Sequence, residues 1–436
     1  MQIAIVTAGG AGMFCGSCMH DNSWAKALRA AGDDVTLIPT YTPLTLDEAD
    51  QSERRIFLGG INVYLKHRSR FWRALPERVT HLVDAPWLIR LATGFGVSNE
   101  AQGLGELTLE LLAGEQGPQA RELEELVKFL ADDLKPDAIL FSNALLSGAA
   151  PSLRRRYDGS IWCVLQGDDI FLEGLPEPYR SQAKQKISQN AAAFTGFFTH
   201  SRYYADFMAS YLSLPADRFR RVPLSIDLAG HDGVPASRDG DGFTVGYFAR
   251  VCPEKGLHEL LKAFRRLHER QPHVKLVAGG YLGKRDVAYF KRLEREHRSL
   301  GDAFRYSGSP ATHDEKVSLI RTFDVLSVPT TYHEPKGLYV LEALANGVPV
   351  VQPAHGAFPE LIEATGGGLL FEPGDTDGHA KALERLLLDP KERLRLGTAG
   401  RDGVRSRFSD GALVKATREL LGSSLANPSP SGEGQG

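Results

Sequence analysis

The chain has 436 residues, about three times the ~150 expected of one domain, so two domains or one elaborate domain is expected. Hydrophobic residues are 42% and charged residues 24%, which permits a sizeable core and excludes a disordered or collagen-like chain. Lys plus Arg is 51 against 54 Asp plus Glu, a net charge of −3, so no global field draws the chain to nucleic acid or an anionic membrane.

The N-terminal half opens as an α/β domain. Residues 2–7 (QIAIVT) read as a strand, and glycines 9, 10, 12 and 16 follow it. A helix is predicted from about Asp21 to Ala31, with Trp24, Ala27, Leu28 and Ala31 on one face. Gly32 ends it, and Val35–Ile38 reads as the next strand. This order is the start of a doubly wound sheet. Further apolar runs lie at 138–141, 161–165 and 196–199, whereas 41–135 reads as an elaborated, partly helical insertion. The N-terminus lacks the basic and apolar regions of a signal peptide. No apolar run reaches the ~18 residues that span a bilayer, so the expected setting is the cytoplasm.

Residues 228–242 have a linker composition rich in Gly, Asp, Pro and Ser. The predicted domains are therefore 1–232 and 240–405. The second alternation runs through strand 243–249, helix 257–269, strand 274–278, helix 285–298, strand 324–328, helix 338–346 and strand 348–352. Residues 406–424 are expected to form a helix returning to the N-terminal domain, and 425–436 a disordered tail. Two Rossmann-like halves imply a cleft, with ligands beyond the carboxyl ends of the strands.

The strongest chemical signal is TYHEPKGLYVLEALANGVPVVQP at 331–353. Gly337 falls at a helix start, with Glu334 before it and Glu342 eight positions further on. A helix N-terminus offers backbone N–H groups and a dipole to a phosphate, and glycine permits close approach. A carboxylate can accept from two neighbouring hydroxyls, as a ribose diol or a sugar ring presents them. The plainer alternative is that acidic residues simply favour helix starts.

This segment resembles the E-x7-E donor motif of family 4 retaining glycosyltransferases, which belong to glycosyl transferases group 1. Val348-Pro349-Val350-Val351 and Gly356-Ala357-Phe358-Pro359-Glu360 resemble the family's downstream segment. Gly246 to Gly256 (GYFARVCPEKG) resembles its strand, loop and helix with a basic pair, and Tyr306-Ser307-Gly308 and Asp324–Pro329 follow in the family's order. The resemblance covers most of 243–390. It implies an α/β GT-B fold: two Rossmann-like domains facing a central cleft, with the donor held mainly by the C-terminal one. It assigns donor contacts to Gly10, Gly12, Gly308, Glu334, Pro335, Lys336, Gly337, Leu338 and Glu342, with Glu334 on the sugar and Glu342 on the ribose. It assigns catalysis to Arg250, Lys255 and Glu334.

Arg250 and Lys255 carry a physical rationale as well. A nucleoside diphosphate gains charge as the glycosidic bond breaks, and fixed cations stabilise that transition state more than the ground state. Alanine at either is expected to lower turnover far more than stability. The resemblance implies no bound metal and no cofactor beyond the substrate, a UDP- or GDP-type nucleotide-sugar.

Gly9-Gly10-Ala11-Gly12 resembles the family's N-terminal glycine loop and breaks the G-x-G-x-x-G pattern at Cys15. Cys15 and Cys18 form one C-x-x-C beside His20, open to a redox, zinc or packing role. The family's acceptor-side histidine is missing, and Gln166-Gly167-Asp168-Asp169 stands there instead. Asn143, Gln166, Asp168 and His200 are candidate acceptor-side residues, each also readable as an ordinary loop or strand-end residue. His67 to Arg73 (HRSRFWR) is a basic, aromatic stretch, open to a membrane or lipid-acceptor contact or to a solvated helix face. The expected activity is transfer of a hexosyl unit to a glycan, lipid-linked or small-molecule acceptor, in the cytoplasm or at the inner face of the membrane. The alternatives are a phosphorylase or epimerase, a Rossmann oxidoreductase, or a non-catalytic sugar-nucleotide-binding protein.

Overall fold

The computed structural model describes residues 1–9, 16–41, 44, 46, 49–53, 101–232 and 242–426. Gly10, Gly12, Cys15, the 67–73 stretch and the tail from 427 lie outside these residues. The described residues form two compact units: Met1–Val222 together with the chain from Leu413 on, and Pro223–Ala412.

The sheet of the first unit holds six described strands: β1 (Gln2–Thr7), β2 (Asp34–Pro39), β3 (Ala138–Phe141), β4 (Ser160–Val164), β5 (Gly196–Thr199) and β6 (Phe219–Arg221). All pairs are parallel, in the order β2-β1-β3-β4-β5-β6. β1 explains its own apolar run. Ile3 and Ile5 face one core with Trp24 and Leu28, and Ala4 and Val6 face another with Ile139 and Phe141. A strand covered on both faces has no polar side to show. The helix after it is Gly16–Ala30, beginning earlier than the apolar spacing indicates. Within 41–135, helices Ala101–Leu112 and Ala120–Lys128 are described.

The second sheet also has six described strands, all parallel: β7 (Thr244–Phe248), β8 (Lys275–Gly279), β9 (Phe304–Tyr306), β10 (Val325–Leu326), β11 (Val350–Pro353) and β12 (Gly368–Phe371). Their order is β12-β11-β10-β7-β8-β9. β10 is shorter than the predicted 324–328, because the amide of Val328 donates to the Gln352 side chain rather than to a strand neighbour.

The boundary between the units falls at Val222–Pro223, before the 228–242 stretch. Leu224 and Ile226 are buried in the core of the second unit, and the amide of Ile226 donates to the carbonyl of Phe408. His231 is buried as well. The apolar residues at 224 and 226 decide the matter, not the polar composition that follows. The final helix, Asp410–Ala426, puts Leu413 and Leu421 into the core of the first unit. The indole of Trp24 donates to Thr417, and Arg418 pairs with Asp33.

Candidate active site

In the second sheet the strand order reverses between β10 and β7. Ligands of doubly wound sheets bind at such a reversal, beyond the carboxyl ends of the strands. The loops leaving these two strands are 249–256 and 327–337.

Each loop is shaped by its own residues, and then one is tied to the other. The Tyr247 phenol donates to the carbonyl of Arg250 at 3.0 Å. Residues Pro253–Lys255 form one 3-10 turn, and Gly256 starts the helix Leu257–Arg270 with φ of 72°. A Cβ at Gly256 would lie 1.7 Å from the carbonyl oxygen of Pro329. Only glycine allows that approach. The amide of Thr331 donates to the carbonyl of Glu254 at 2.9 Å. Lys255 is thereby carried to Glu334.

Glu334 is 4% exposed. Its Oε2 accepts from Lys255 Nζ at 2.5 Å, from the Tyr332 phenol at 2.8 Å and from the Tyr339 phenol at 2.9 Å. Lys255 Nζ also lies 2.5 Å from the Tyr332 oxygen. Burial is the largest influence on this carboxyl and opposes its charge. The Lys255 charge and the hydrogen bonds from Lys255, Tyr332 and Tyr339 outweigh it and hold the pKa at about 2. Such a carboxylate is ionised at neutral pH and too weak a base for proton abstraction, but it remains a strong acceptor. Among the described residues its Oε1 has only a long contact, 3.5 Å, from the amide of Lys336.

The backbone of Glu334 is clamped from behind. Ala357 N–H donates to the Glu334 carbonyl at 2.8 Å. Gly356 has φ of 60°, and a Cβ there would lie 2.6 Å from both N and O of Glu334. His355 Nε2 donates to the Thr330 carbonyl at 3.1 Å, and its ring stacks on His333 at 4.9 Å.

Gly337 begins the helix Leu338–Ala345 in the left-handed conformation, φ 81°. Pro335 lies in the turn before it, and Lys336 is buried there. Leu338 opens the helix, and Glu342 falls one turn further in. Glu342 does not share the Glu334 cluster of hydrogen bonds. Its Oε1 pairs with Lys316 Nζ at 3.0 Å. Gly308, at φ 81°, follows β9, and its carbonyl accepts from Gly280. Arg250 points Nε at the Cys252 sulfur, 3.3 Å away. Burial works against the Arg250 charge, but Cys252 and the acidic neighbours Glu254 and Asp286 hold its pKa above the ordinary value.

In the first unit the order reverses between β1 and β3. Thr7 ends β1 and Ser142 directly follows β3, and both hydroxyls donate to the buried carboxylate of Asp21, Thr7 at 2.7 Å. Gln166 donates to the other Asp21 oxygen at 2.9 Å and to Ser142 at 3.0 Å. Asp168 is 3% exposed, and its two oxygens accept the amides of Ala144 and Gln166 at 2.6 and 2.9 Å. Burial raises its pKa to about 6 despite those bonds. It closes the β3 and β4 loops on each other, which explains its burial without a substrate. Asn143 caps the following 3-10 turn by accepting from Leu145, and His200 contacts the Val222 carbonyl. Cys18 is buried. Among the described residues no group of three or more His, Cys, Asp and Glu side chains is placed to hold a metal ion.

Tyr332, Tyr339, Lys316 and Asp21 have no site role assigned from the sequence, and Gly356 stands there only as part of the downstream segment. The two tyrosines lie within the 331–353 motif, but nothing in their spacing marks them as donors to Glu334. Lys316 does leave a trace: it precedes Val317 and Ile320 on the buried side of an apolar helix face.

Two parallel six-stranded sheets with helices, carrying this loop–helix site at a strand-order reversal, define the GT-B fold of glycosyltransferases. Residues 235–403 match the family model for glycosyl transferases group 1. It is 30% identical over 192 residues to D-inositol 3-phosphate glycosyltransferase of Corynebacterium glutamicum, a match spanning 43% of this chain and 45% of the relative, less than half of its length. Against the enzyme of the same name from Salinispora arenicola it is 26% identical over 446 residues, covering 93% and 94%. Sucrose-phosphate synthase from Thermosynechococcus elongatus superposes with a TM-score of 0.71 at 18% identity, covering 98% of this chain and 99% of that one. Among the described residues no helix is long and apolar enough to cross a membrane.

Proposed function

We propose that the protein transfers a hexosyl unit from a nucleotide-sugar to a hydroxyl acceptor with retention of the anomeric configuration. The observation that carries this reading is the Lys255–Glu334 pair, held at the strand-order reversal beside the left-handed Gly337 helix start. The free side of Glu334, Oε1, accepts a hydroxyl of the donor sugar. The amides from Gly337 and Leu338 face the diphosphate, and Arg250 with Lys255 offsets its growing charge. Glu342 accepts from the ribose diol. Retention follows from the departing phosphate assisting the incoming hydroxyl on the same face, with no carboxylate acting as nucleophile. The two side-chain cations stand in for a metal, and transfer needs none. The acceptor is polyhydroxylated, and D-inositol 3-phosphate, named in the relatives, is the first candidate. The reaction takes place in the cytoplasm.

The test is incubation with UDP- and GDP-hexoses over an acceptor panel that includes inositol phosphates, glycans and lipid-linked sugars. The product's anomeric configuration is read by NMR. An α-linked product from an α-linked donor supports the reading, and inversion overturns it. A second reading is a sugar-nucleotide-binding protein without turnover. It draws on Gln166, which is bound to Asp21 and Ser142 where the family carries histidine. Nucleotide-sugar binding with no product over the whole panel favours that reading.

A further inference from the structure

The two glutamates of the 331–353 segment each have their own lysine. Lys255 serves Glu334, and Lys316 serves Glu342. Lys316 belongs to the helix His313–Ile320 and is 4% exposed. A lysine buried to this degree is rare unless it is paired. The attraction within such a pair seldom repays the loss of hydration, so stability alone is a poor reason for it.

The surroundings show what the pair does to Glu342. Asn346 donates to the Glu342 backbone carbonyl at 2.9 Å and contacts His231 Nδ1 at 2.7 Å, so its NH2 group is taken up there. His313 stands edge-on to His231 and contacts the Ala229 carbonyl. Among the described residues Lys316 is the cation paired with Glu342, and it holds Oε1. No hydrogen bond from a described residue reaches Oε2. The carboxylate is pinned by one oxygen and presents the other.

We infer that Lys316 is a positioning residue for the nucleoside ribose: it holds Glu342 by Oε1 in one rotamer, so that Oε2 meets the 2′,3′-diol. This rests on the reading of Glu342 as the ribose ligand. Lys316 touches no substrate in this scheme. Its effect is confined to the part of nucleotide affinity that depends on the diol.

The experiment measures dissociation constants of UDP and GDP and of their 2′,3′-dideoxy forms by calorimetry, on the full chain. For the nucleotide that binds, wild type is expected to favour the diol by roughly tenfold or more, as for hydrogen bonds to a charged group. E342Q and K316M are each expected to bring that ratio to within about twofold, while K316R retains part of it. K316Q carries the same expectation as K316M and covers the case in which K316M does not fold. A structural role alone would weaken both forms alike and leave the ratio unchanged, which overturns the proposal. If E342Q loses the ratio and both K316M and K316Q keep it, the proposal fails and the ribose assignment of Glu342 stands. If E342Q keeps it, that assignment fails and takes the proposal with it. If neither UDP nor GDP binds, the donor-site reading itself is overturned.

Discussion

The Lys255 ammonium lies 2.5 Å from Glu334 Oε2, and the phenols of Tyr332 and Tyr339 donate to that same oxygen. Three donors on one oxygen leave Glu334 charged and immobile, with its second oxygen available. Lys255 is therefore a structural partner of Glu334, in addition to the phosphate role proposed for it. K255A is expected to cost stability, on the order of 3–5 kcal/mol, because it strands a buried carboxylate. The expectation that alanine here would spare stability does not survive the pair's burial. K255M combined with E334Q is expected to regain most of the loss. Urea unfolding of the single and double variants checks this. R250A is expected to unfold within about 1 kcal/mol of wild type, since among the described residues Arg250 lies against the Cys252 sulfur and in no buried ion pair, and to lose turnover.

Tyr339 is the most economical probe of the network. Y339F removes one hydrogen bond and keeps the ring. It is expected to cost about 1–2 kcal/mol in unfolding free energy. Turnover should fall while the affinity for free nucleoside diphosphate stays within about twofold, a change worth under half a kcal/mol. Equal loss of both would place Tyr339 outside the sugar side of the site.

Gly356 acts on Glu334 from the backbone. With φ of 60° and a hypothetical Cβ 2.6 Å from Glu334 N and O, G356A must move the loop. Its expected cost is on the order of 1–3 kcal/mol from strain. The diagnostic result is loss of transfer with a thermal midpoint still above assay temperature. A fully active G356A would show that the Glu334 backbone position is not critical.

Acid sensitivity should have two stages. Burial lowers His379 to about 3 from 6.5, and, chiefly by burial, His231 is lowered to about 4. Depressed values mean stability that is complete above pH 6.5 and is lost as pH falls towards these values. Glu334, at about 2 against 4.5, adds a second loss as pH falls from 4.5 towards 2. H379Q can keep a contact to Ser327, and it is expected to flatten the curve between pH 6.5 and 4. Thermal unfolding across pH 3–8 measures it, and an unchanged slope would remove His379 as a cause.

Transfer is expected to proceed unaltered in millimolar EDTA. Loss of activity on chelation and its return with a divalent ion would show that Arg250 and Lys255 do not suffice for the diphosphate.

Local patterns in the sequence revealed much of the frame. The apolar runs at 2–7, 138–141 and 196–199 are strands because each is buried on both faces. Gly337 was legible as a helix start because the left-handed turn requires it. β6 and β9 are three residues long and carry arginines, too little pattern to distinguish from loop. The spacing of Glu334 and Glu342 suggests one joint grip, but each has its own lysine, 79 and 26 positions away. A pairing made across the fold leaves no trace in local spacing. The boundary at Val222 was hidden for a different reason: the polar run at 228–242 is conspicuous, while two core residues just before it are not.

The last helix completes the core that the first strand begins. During synthesis the first unit therefore waits for residues made almost at the end. Leu413 and Leu421 reach Trp24 and Leu28 only after the whole second unit has left the ribosome. The usual order, N-terminal domain first, is expected to be reversed here. The second unit is whole before the first unit can finish folding.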